Sequence, residues 1–291
     1  MESALKKAEV LLEALPYIRK YYGKTTVIKY GGNAMENDHL KDTFAQDIAL
    51  MRFVGINPVV VHGGGPQITD YMERLSMRVE FVDGHRVTDA ETMEVAKMVL
   101  VGKVNKEIVS RINTQGVEAV GLSGDDAGLI SAQKRDHVTT EGHVDLGYVG
   151  DVDSINPEIL KNLIKSGYIP VVASVGVDER GQSYNINADR VAAAVSTALK
   201  ADKLIFLTNT KGIYLDFKKK EKQLVEEIDV NEAHRLMQEG DLSEGMLPKL
   251  MSCIDAVESG VGRAHIIDGR IEHAVLLEIF TDSGIGTMVV P

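Results

Sequence analysis

The sequence predicts an α/β fold with a mainly parallel central sheet that is covered by helices on both faces. Two observations support this fold class. Short runs rich in β-branched residues, such as 25–30 and 57–62, alternate with longer segments of helical periodicity, as expected of βαβ units. The strand-like runs are also bounded by glycine, which marks their ends.

The first predicted element is a helix over residues 3–22. Pro16 lies inside it, lacks an N–H donor and crowds the preceding turn, so we expect a kink or a restart near Leu15. Such a helix can pack on its own domain or dock on a neighbouring subunit, and periodicity does not decide between these alternatives. Its apolar residues on or near one face are Leu5, Ala8, Leu11, Leu12, Leu15, Ile18 and Tyr22.

Beyond Lys24 the pattern predicts strands and helices in alternation. The polar segment 131–153 is expected to leave the sheet as a hairpin. In chain order the other predictions are a strand at 25–30, a helix at 38–54, a strand at 57–62, a helix at 65–76, a loop at 81–88, a helix at 89–114, strands at 117–122 and 169–173, a helix at 189–200 and a strand at 203–208.

Composition excludes several classes of function. The net charge of −11, from 32 basic and 43 acidic residues, argues against a nucleic acid or an anionic membrane as partner. Cys253 is the only cysteine, so no intrachain disulfide can form, and we expect a small core residue in a reducing compartment. We find no run of membrane-spanning length and no secretory signal, which predicts a cytoplasmic protein.

Two of the strand-like runs end in glycines, at residues 29–33 and 62–66. Glycine lets backbone N–H groups approach an anion closely, because no Cβ blocks the way. The pair of glycine-rich ends therefore predicts a phosphate or carboxylate site. It does not fit a dinucleotide fingerprint, since the third glycine position is Ile68, and the chain has no Walker motif and no H-x-x-x-H metal pair.

Four charged residues lie at or near predicted element ends: Lys29, Arg86, Asp189 and Lys249. Each of them alone is more often a surface charge. Asp189 opens a predicted helix, where its carboxylate could cap the helix, contact a ligand or hold lysines in place. These interpretations stay open at the level of residue pattern.

The chain resembles the amino acid kinase family from about Thr25 to its C-terminus. The element 29–34 is shared across several members, whereas the other motifs indicate the branch that phosphorylates N-acetyl-L-glutamate. Asp125 and Glu244 depart from the usual pattern, which has lysine and glycine there. The motifs are Lys29-Tyr30-Gly31-Gly32-Asn33-Ala34, His62-Gly63-Gly64-Gly65-Pro66, Gly84-His85-Arg86-Val87-Thr88, Gly121-Leu122-Ser123-Gly124, Asn185-Ile186-Asn187-Ala188-Asp189 and Gly245-Met246-Leu247-Pro248-Lys249.

This resemblance implies transfer of a phosphoryl group from ATP to the γ-carboxylate of N-acetyl-L-glutamate, for arginine biosynthesis. Lys29 and Lys249 would stabilise the transferring group, and Asp189 would orient both lysines. Gly64 and Gly65 would donate backbone N–H groups. The α-carboxylate would pair with Arg86, and Asn185 would hydrogen-bond the substrate.

The resemblance also implies a three-layer αβα sandwich with an N-terminal helix (1–24), an acetylglutamate-binding lobe (25–198) and an ATP-binding lobe (199–291). ATP with Mg²⁺ would be a co-substrate, and no tightly bound cofactor and no resident metal are expected. Catalysis would involve closure of the two lobes. The ATP-binding residues by similarity are Gly31, Gly32, Thr208, Asn209, Thr210, Lys211, Gly212, Ile213, Asp241, Leu242 and Ser243.

The N-terminal helix and the segment 273–287 resemble the arginine-inhibited members of the family. This similarity implies a homohexamer, a trimer of dimers, in which L-arginine binds between the helix and the C-terminal lobe. Glu278 is the leading candidate to pair with the arginine cation, with His265 and Gly284 nearby. A PII signalling protein is a further partner that some relatives bind. Alternatively, the tail is only a final helix and strand.

Three other functions remain open. A different kinase of the family, acting on carbamate, aspartate or glutamate, would share the glycine elements. A nicotinamide oxidoreductase is disfavoured by Ile68. A non-catalytic amino-acid sensor would bind arginine without releasing ADP.

Overall fold

The structure is a computed structural model that describes residues 2–35, 37–139, 142–215, 223–239, 242, 245–281 and 284–291. The α-helices are α1 (Glu2–Tyr21), α2 (Asp38–Phe53), α3 (Gly65–Arg74), α4 (Ala90–Lys97), α5 (Asn105–Asn113), α6 (Glu158–Lys165), α7 (Ala188–Leu199), α8 (Val230–Glu239), α9 (Leu247–Glu258) and α10 (Ala274–Phe280). The strands are β1 (Thr25–Tyr30), β2 (Asn57–His62), β3 (Phe81–Val82), β4 (His85–Arg86), β5 (Ala119–Leu122), β6 (Ile130–Lys134), β7 (His137–Thr139), β8 (Gly142–Val144), β9 (Val149–Ile155), β10 (Ile169–Ala173), β11 (Val175–Val177), β12 (Ser183–Ile186), β13 (Lys203–Thr208), β14 (Tyr214–Leu215), β15 (Gln223–Leu224), β16 (Glu227–Asp229), β17 (Arg263–Asp268) and β18 (Thr287–Val290).

A central sheet organises the fold, with the strand order β16-β18-β17-β13-β1-β2-β10-β5 in the described part of the chain. Neighbours from β17 to β5 are parallel, whereas β18 pairs antiparallel to β17 and carries β16 with it. Strand β1 lies between β13 and β2, which come from distant parts of the sequence. The predicted fold class, a mainly parallel sheet within an αβα sandwich, is confirmed.

The sheet is mainly parallel because its strands are buried on both faces. Val59, Val60 and Val61 are each fully buried, and so is every side chain of β13 to within a few per cent. Alternate residues of these strands enter separate apolar clusters: Ile28 and Val60 lie in one, and Val27 and Val59 in the other. Helices are needed on both sides of such a sheet to exclude water.

Helix α1 is continuous through Pro16, so the restart expected near Leu15 does not occur. Proline removes one hydrogen bond, and the carbonyl that loses it belongs to Leu12, whose side chain is 65% exposed. On this exposed side of α1, water can hydrogen-bond to the carbonyl, which reduces the free-energy cost of the lost hydrogen bond. Within the described residues, the structure contains no helix with both the length and the apolarity required to cross a membrane.

The predicted helix at 89–114 contains an interruption that sequence periodicity does not reveal. Residues Met98–Val104 form a π-helical segment between α4 and α5. Widened turns of this kind are frequent near functional sites. The predicted loop at 81–88 is instead a short hairpin, β3–β4, whose turn residues Asp83 and Gly84 both have positive φ.

The predicted hairpin excursion at 131–153 is confirmed as β6 to β9. The sequence does not reveal that β6 and β9 join β11 and β12 in a small closed sheet. Asn185 of β12 pairs with Val149 of β9 in this sheet. This arrangement places both residues beside the carboxyl end of the central strands.

Candidate active site

The centre of the site is an ion-paired trio formed by Lys29, Asp189 and Lys249. Lys29 Nζ lies 3.0 Å from Asp189 Oδ1, and Lys249 Nζ lies 2.7 Å from Asp189 Oδ2. The three residues belong to β1, α7 and α9, so packing of the central sheet brings together positions 160 and 60 residues apart. One carboxylate therefore holds two ammonium groups side by side.

Asp189 does not cap its helix. The N-cap of α7 is Asn187, whose side-chain oxygen accepts hydrogen bonds from the N–H groups of Asp189 at 2.8 Å and Arg190 at 3.3 Å. The Asp189 side chain is thereby free to face the lysines. Of the interpretations left open by the sequence, the geometry supports an orienting carboxylate.

The two lysines control the ionisation of Asp189. Burial on its own would raise the pKa of this carboxyl group, but the charges of Lys29 and Lys249 outweigh burial and lower it to about 2. The trio thus places an ionised carboxylate between two ammonium groups at neutral pH, and Lys29 lines the adjoining cleft.

The trio adjoins a cleft of about 230 Å³ at the carboxyl ends of β1 and β2. The strand order changes direction at β1, which has β2 on one side and β13 on the other. Ligands of open α/β sheets bind at the carboxyl ends of the strands at such a switch point. The cleft is lined by Lys29, by both glycine-rich strand ends, by the β3–β4 hairpin and by residues 185–188.

Glycine is required at two positions of this edge for different structural reasons. Gly64 is the N-cap of α3, so the cleft receives the N-terminal end of a helix, where free N–H groups favour anions. A Cβ at Gly64 would lie 2.7 Å from Leu100 Cδ2, in the π-helical segment. A Cβ at Gly31 would lie 2.9 Å from Lys29 Nζ, so a side chain there would displace the Lys29 ammonium group.

Arg86 lies at the wall of the cleft and is held by uncharged groups. Its Nη2 donates to Gly65 O at 2.9 Å and to Thr69 Oγ1 at 2.6 Å, and the guanidinium stacks over the Phe81 ring at 4.6 Å. Burial lowers the pKa of Arg86 from its usual value. Because these partners carry no charge, the guanidinium remains available to an anion.

Asn185 reaches the same cleft from β12. Its Nδ2 lies 3.5 Å from Thr88 Oγ1, a long contact that leaves the amide able to turn towards a ligand. The structure therefore brings together Lys29, Asp189, Lys249 and the predicted substrate-binding set of Gly64, Gly65, Arg86 and Asn185.

The predicted nucleotide residues that follow β13 lie near Lys29, because β1 and β13 are parallel neighbours and end at the same edge of the sheet. Asn209 meets the first glycine loop there, since a Cβ at Gly32 would lie 2.8 Å from Asn209 Oδ1. Gly32 has φ +69°, which favours glycine. The loop residues Asn209, Thr210 and Lys211 are exposed at this edge.

Other residues predicted to bind the nucleotide pack behind the loop 209–211 and support it. Thr208 is buried and its Oγ1 accepts from the N–H of Thr210 at 3.0 Å, while Ile213 is buried and donates its N–H to Thr287 Oγ1 at 2.8 Å. Gly212 is buried between them, and Leu242 packs at the edge of the core. Asp241 and Ser243, and the departure at Glu244, lie outside the described residues.

Comparison with known proteins identifies the family of the chain. The sequence pattern of the amino acid kinase family matches residues 24–268. The acetylglutamate kinase of Carboxydothermus hydrogenoformans is 57% identical over 295 aligned residues, which cover 100% of both chains. That of Caldicellulosiruptor saccharolyticus is 53% identical, covering 99% of this chain and 98% of its own.

The chain belongs to the amino acid kinase family. The resemblance inferred from the motifs is confirmed, as is the prediction that the chain is a kinase. Solved structures agree on the fold. N-acetylglutamate synthase from Neisseria gonorrhoeae, complexed with coenzyme A and N-acetyl-glutamate, superposes with a TM-score of 0.85 at 25% identity. The superposition covers 98% of this chain and 63% of that protein. Carbamate kinase from Giardia lamblia bound to AMP-PNP has a TM-score of 0.67 at 17% identity, covering 92% of this chain and 98% of its own, which shows the fold alone.

His62, in the motif 62–66, forms a buried pair with Asn105 that sequence reasoning did not single out. His62 and Asn105 are both fully buried, and their side chains meet with Nε2 3.1 Å from Nδ2. Asn105 belongs to none of the motifs and lies 43 residues away, so no local signal identifies it. Sequence reasoning also did not single out Asn187, which the coordinates show to be the N-cap of α7.

A second cavity of about 290 Å³ lies between α1 and the C-terminal part of the chain. It contains all three residues predicted to contact an effector. His265 Nδ1 lies 2.7 Å from Glu278 Oε1, and a Cβ on Gly284 would lie 3.6 Å from Glu278 Oε2. Asp282 and Ser283, in the same predicted segment, lie outside the described residues.

Electrostatics in this second cavity favour an anionic Glu278. Burial would raise its pKa, but His265, the N–H of Ile285 and the charge of Lys203 together lower it. Burial also lowers the pKa of His265, so its ring is neutral and can donate to the carboxylate. The described lining carries both signs of charge: Glu226, Glu227 and Glu278 against Lys20, Lys203 and Arg263.

Proposed function

We propose that this kinase phosphorylates the γ-carboxylate of N-acetyl-L-glutamate with ATP and yields N-acetyl-L-glutamyl 5-phosphate for arginine biosynthesis. The observation that carries the proposal is the convergence of Lys29 and Lys249 on Asp189 beside a glycine-lined cleft. The names of the full-length relatives support the choice of acceptor.

The chemistry follows from the acceptor. A glutamate-type carboxylate has a pKa of about 4.3, so it is already an anionic nucleophile at neutral pH and needs no general base. One of its oxygens attacks the γ-phosphorus, the bond from that phosphorus to the β,γ-bridging oxygen breaks, and ADP leaves with the electron pair. The protein has to reduce charge repulsion and align the reactants.

Each residue of the trio has a defined task in this reaction. Lys29 and Lys249 stabilise the negative charge spread over the transferring phosphoryl group, and Asp189 holds the two ammonium groups at a fixed separation. Backbone N–H groups of Gly64 and Gly65 bind oxygens of the transferring phosphoryl group or of the acceptor. Arg86 pairs with the α-carboxylate, and Asn185 hydrogen-bonds the substrate.

ATP binds across residues 31–32 and 208–213 in this proposal, with its base and ribose against the stretch 207–213 and against Asp241, Leu242 and Ser243. Mg²⁺ arrives with the nucleotide as part of the co-substrate. Residues 25–198 then form the acetylglutamate lobe and 199–291 the ATP lobe. Closure between them excludes water before transfer.

The test is ADP release on adding N-acetyl-L-glutamate to enzyme with Mg-ATP, with hydroxylamine used to trap the acyl phosphate. Carbamate, aspartate and glutamate are offered in parallel under the same conditions. We expect the highest kcat/KM for N-acetyl-L-glutamate. A higher value for another acceptor would assign the chain to a different substrate, and arginine binding without any ADP release would identify a sensor.

We further propose that L-arginine inhibits the enzyme by binding in the cavity beside α1. An amino acid carries both charges, and this cavity offers carboxylates and cations together. The guanidinium would pair with Glu278, beside His265 and Gly284. In this proposal α1 also docks on another subunit to form a homohexamer, since Leu11 and Leu12 of α1 are 72% and 65% exposed. A PII protein is a further proposed partner.

Replacing Glu278 with glutamine is expected to raise the inhibitory concentration of arginine by about 10-fold or more, because a charge-assisted hydrogen bond becomes a neutral one. Each variant is measured against its own rate without arginine. The matched control is Glu232→Gln on α8, whose side chain is exposed and lies outside the cavity lining. An unchanged response in Glu278→Gln would remove this residue from the effector site.

Deleting residues 1–24 is expected to abolish arginine inhibition while basal turnover survives. Tyr17, Lys20 and Tyr21 of α1 form one wall of the cavity, so the site is incomplete without them. Sedimentation of the same variant shows whether assembly also depends on α1. Inhibition that persists after the deletion would reject an effector site at this helix.

A further inference from the structure

His62 is the last residue of β2, immediately before the glycines that line the cleft. Its side chain is fully buried. Both ring nitrogens have a partner at hydrogen-bond distance: Nδ1 lies 2.9 Å from Gly63 O, and Nε2 lies 3.1 Å from Asn105 Nδ2. A buried ring with two specific polar partners is more constrained than apolar packing requires.

The partners determine which nitrogen carries the proton. A carbonyl oxygen can only accept, so Nδ1 must be the protonated nitrogen that donates to Gly63 O. Asn105 Nδ2 also donates to Val171 O at 2.9 Å, which identifies that atom as the amide nitrogen rather than the oxygen. Nε2 of His62 therefore accepts the second amide hydrogen.

The ring is neutral in this arrangement. Burial lowers the pKa of His62 to about 4, so the imidazolium form is scarce at neutral pH. A protonated ring would also place an N–H against the Asn105 amide hydrogens. Asn105 thus selects one neutral tautomer of His62.

Fixing Gly63 O also fixes the next N–H group. The C=O of Gly63 and the N–H of Gly64 belong to one planar trans peptide and point in opposite directions. Because the oxygen is held against the buried ring, the N–H of Gly64 is directed away from it. Gly64 lines the cleft and is the N-cap of α3.

We propose that His62 and Asn105 are positioning residues that hold the Gly64 N–H towards the anionic reactant in the cleft. The anion is a carboxylate or a phosphoryl oxygen, and its identity rests on the function proposed above. Glycines on both sides of this peptide would otherwise let it rotate at little cost. Preorganisation matters here because a donor aimed in advance needs no reorientation during the reaction.

Two substitutions at His62 separate positioning from packing. The side-chain amide of asparagine places its nitrogen where Nδ1 of histidine lies and can donate to Gly63 O. Glutamine fills more of the buried volume, but its amide lies where Nε2 was and leaves Gly63 O without that donor. Packing alone favours glutamine, whereas positioning favours asparagine.

We expect His62→Asn to keep kcat/KM within about threefold of the wild type, and His62→Gln to lower it by about 10-fold or more. The control pair is His143→Asn and His143→Gln, at an exposed histidine of β8, where both variants should match the wild type. Thermal unfolding is recorded for every variant. Equal losses at His62, or a smaller loss for glutamine, would overturn the proposal.

A second measurement needs no variant to be active. In protein labelled with [¹⁵N]histidine, the His62 resonances distinguish the protonated ring nitrogen from the unprotonated one. The expected result is a proton on Nδ1; a proton on Nε2 would overturn the assignment. If the wild type phosphorylates a different acceptor, the proposed substrate is wrong, and the His62 comparison is made with that acceptor instead.

Discussion

Replacing Lys249 with alanine is expected to lower turnover by about 10²–10³-fold, and replacing Lys29 should have an effect of similar size. Each change removes one preorganised positive charge from the transferring phosphoryl group. The KM for N-acetyl-L-glutamate should change much less than kcat, because this charge develops during the reaction. The measurement is steady-state ADP release.

The matched control is Lys161→Ala. This lysine is exposed on α6 and pairs with Glu158, so its loss removes an ammonium group without touching the cleft. The double variant of Lys29 and Lys249 should be less impaired than the product of the two single effects, since the lysines act as a unit. Wild-type rates in both single variants would refute the assigned chemistry.

Asp189→Asn is expected to lower both turnover and the free energy of unfolding. The amide keeps the shape of the carboxyl group, but Lys29 and Lys249 lose their shared counter-charge, and breaking a buried ion pair costs about 3–5 kcal/mol. Chemical unfolding at pH 7 measures this loss. Asp145→Asn is the control, because Asp145 is exposed and its ion pair with Lys134 lies at the surface.

The stability difference between Asp189→Asn and the wild type should depend on pH. The folded-state pKa of Asp189 is about 2, below its usual value of 3.8, so the unfolded chain binds more protons between these values. The stabilisation is complete above the usual pKa and is lost as the pH falls through the folded value. The difference should therefore be smaller at about pH 3 than at pH 7; a difference that does not shrink would contradict this ionisation.

The central strands could be predicted from the sequence because their signal is local. The runs at 25–30, 57–62, 169–173 and 203–208 coincide with β1, β2, β10 and β13. Each run consists mainly of apolar or β-branched residues and is buried on both faces, so the hydrophobic pattern and the composition both indicate a strand. Residues at the carboxyl ends of these strands could therefore be placed together before any coordinates.

Other features could not be derived from local pattern. The distance between Lys29 and Lys249 depends on how α9 packs, which local pattern does not show. The prediction that the two lysines act together came from the resemblance to the family motifs. The role of Asp189 was ambiguous because an aspartate at the start of a helix can also cap it, and the coordinates show that Asn187 is the cap. Strands β11 and β12 are short, and the π-helical segment at 98–104 has ordinary helical composition, so neither has a distinctive period.

Strands β1 and β13 share an unbroken ladder of backbone hydrogen bonds from Thr26 to Lys29, although they come from opposite sides of residue 198. A motion that separated the two halves at this seam would have to break that ladder. Any approach of Lys249 towards Lys29 must instead come from a change in sheet twist or from sliding of α9 over the strands. Closure of the two proposed lobes would therefore involve small displacements within one continuous sheet, rather than rotation of two bodies joined by a linker.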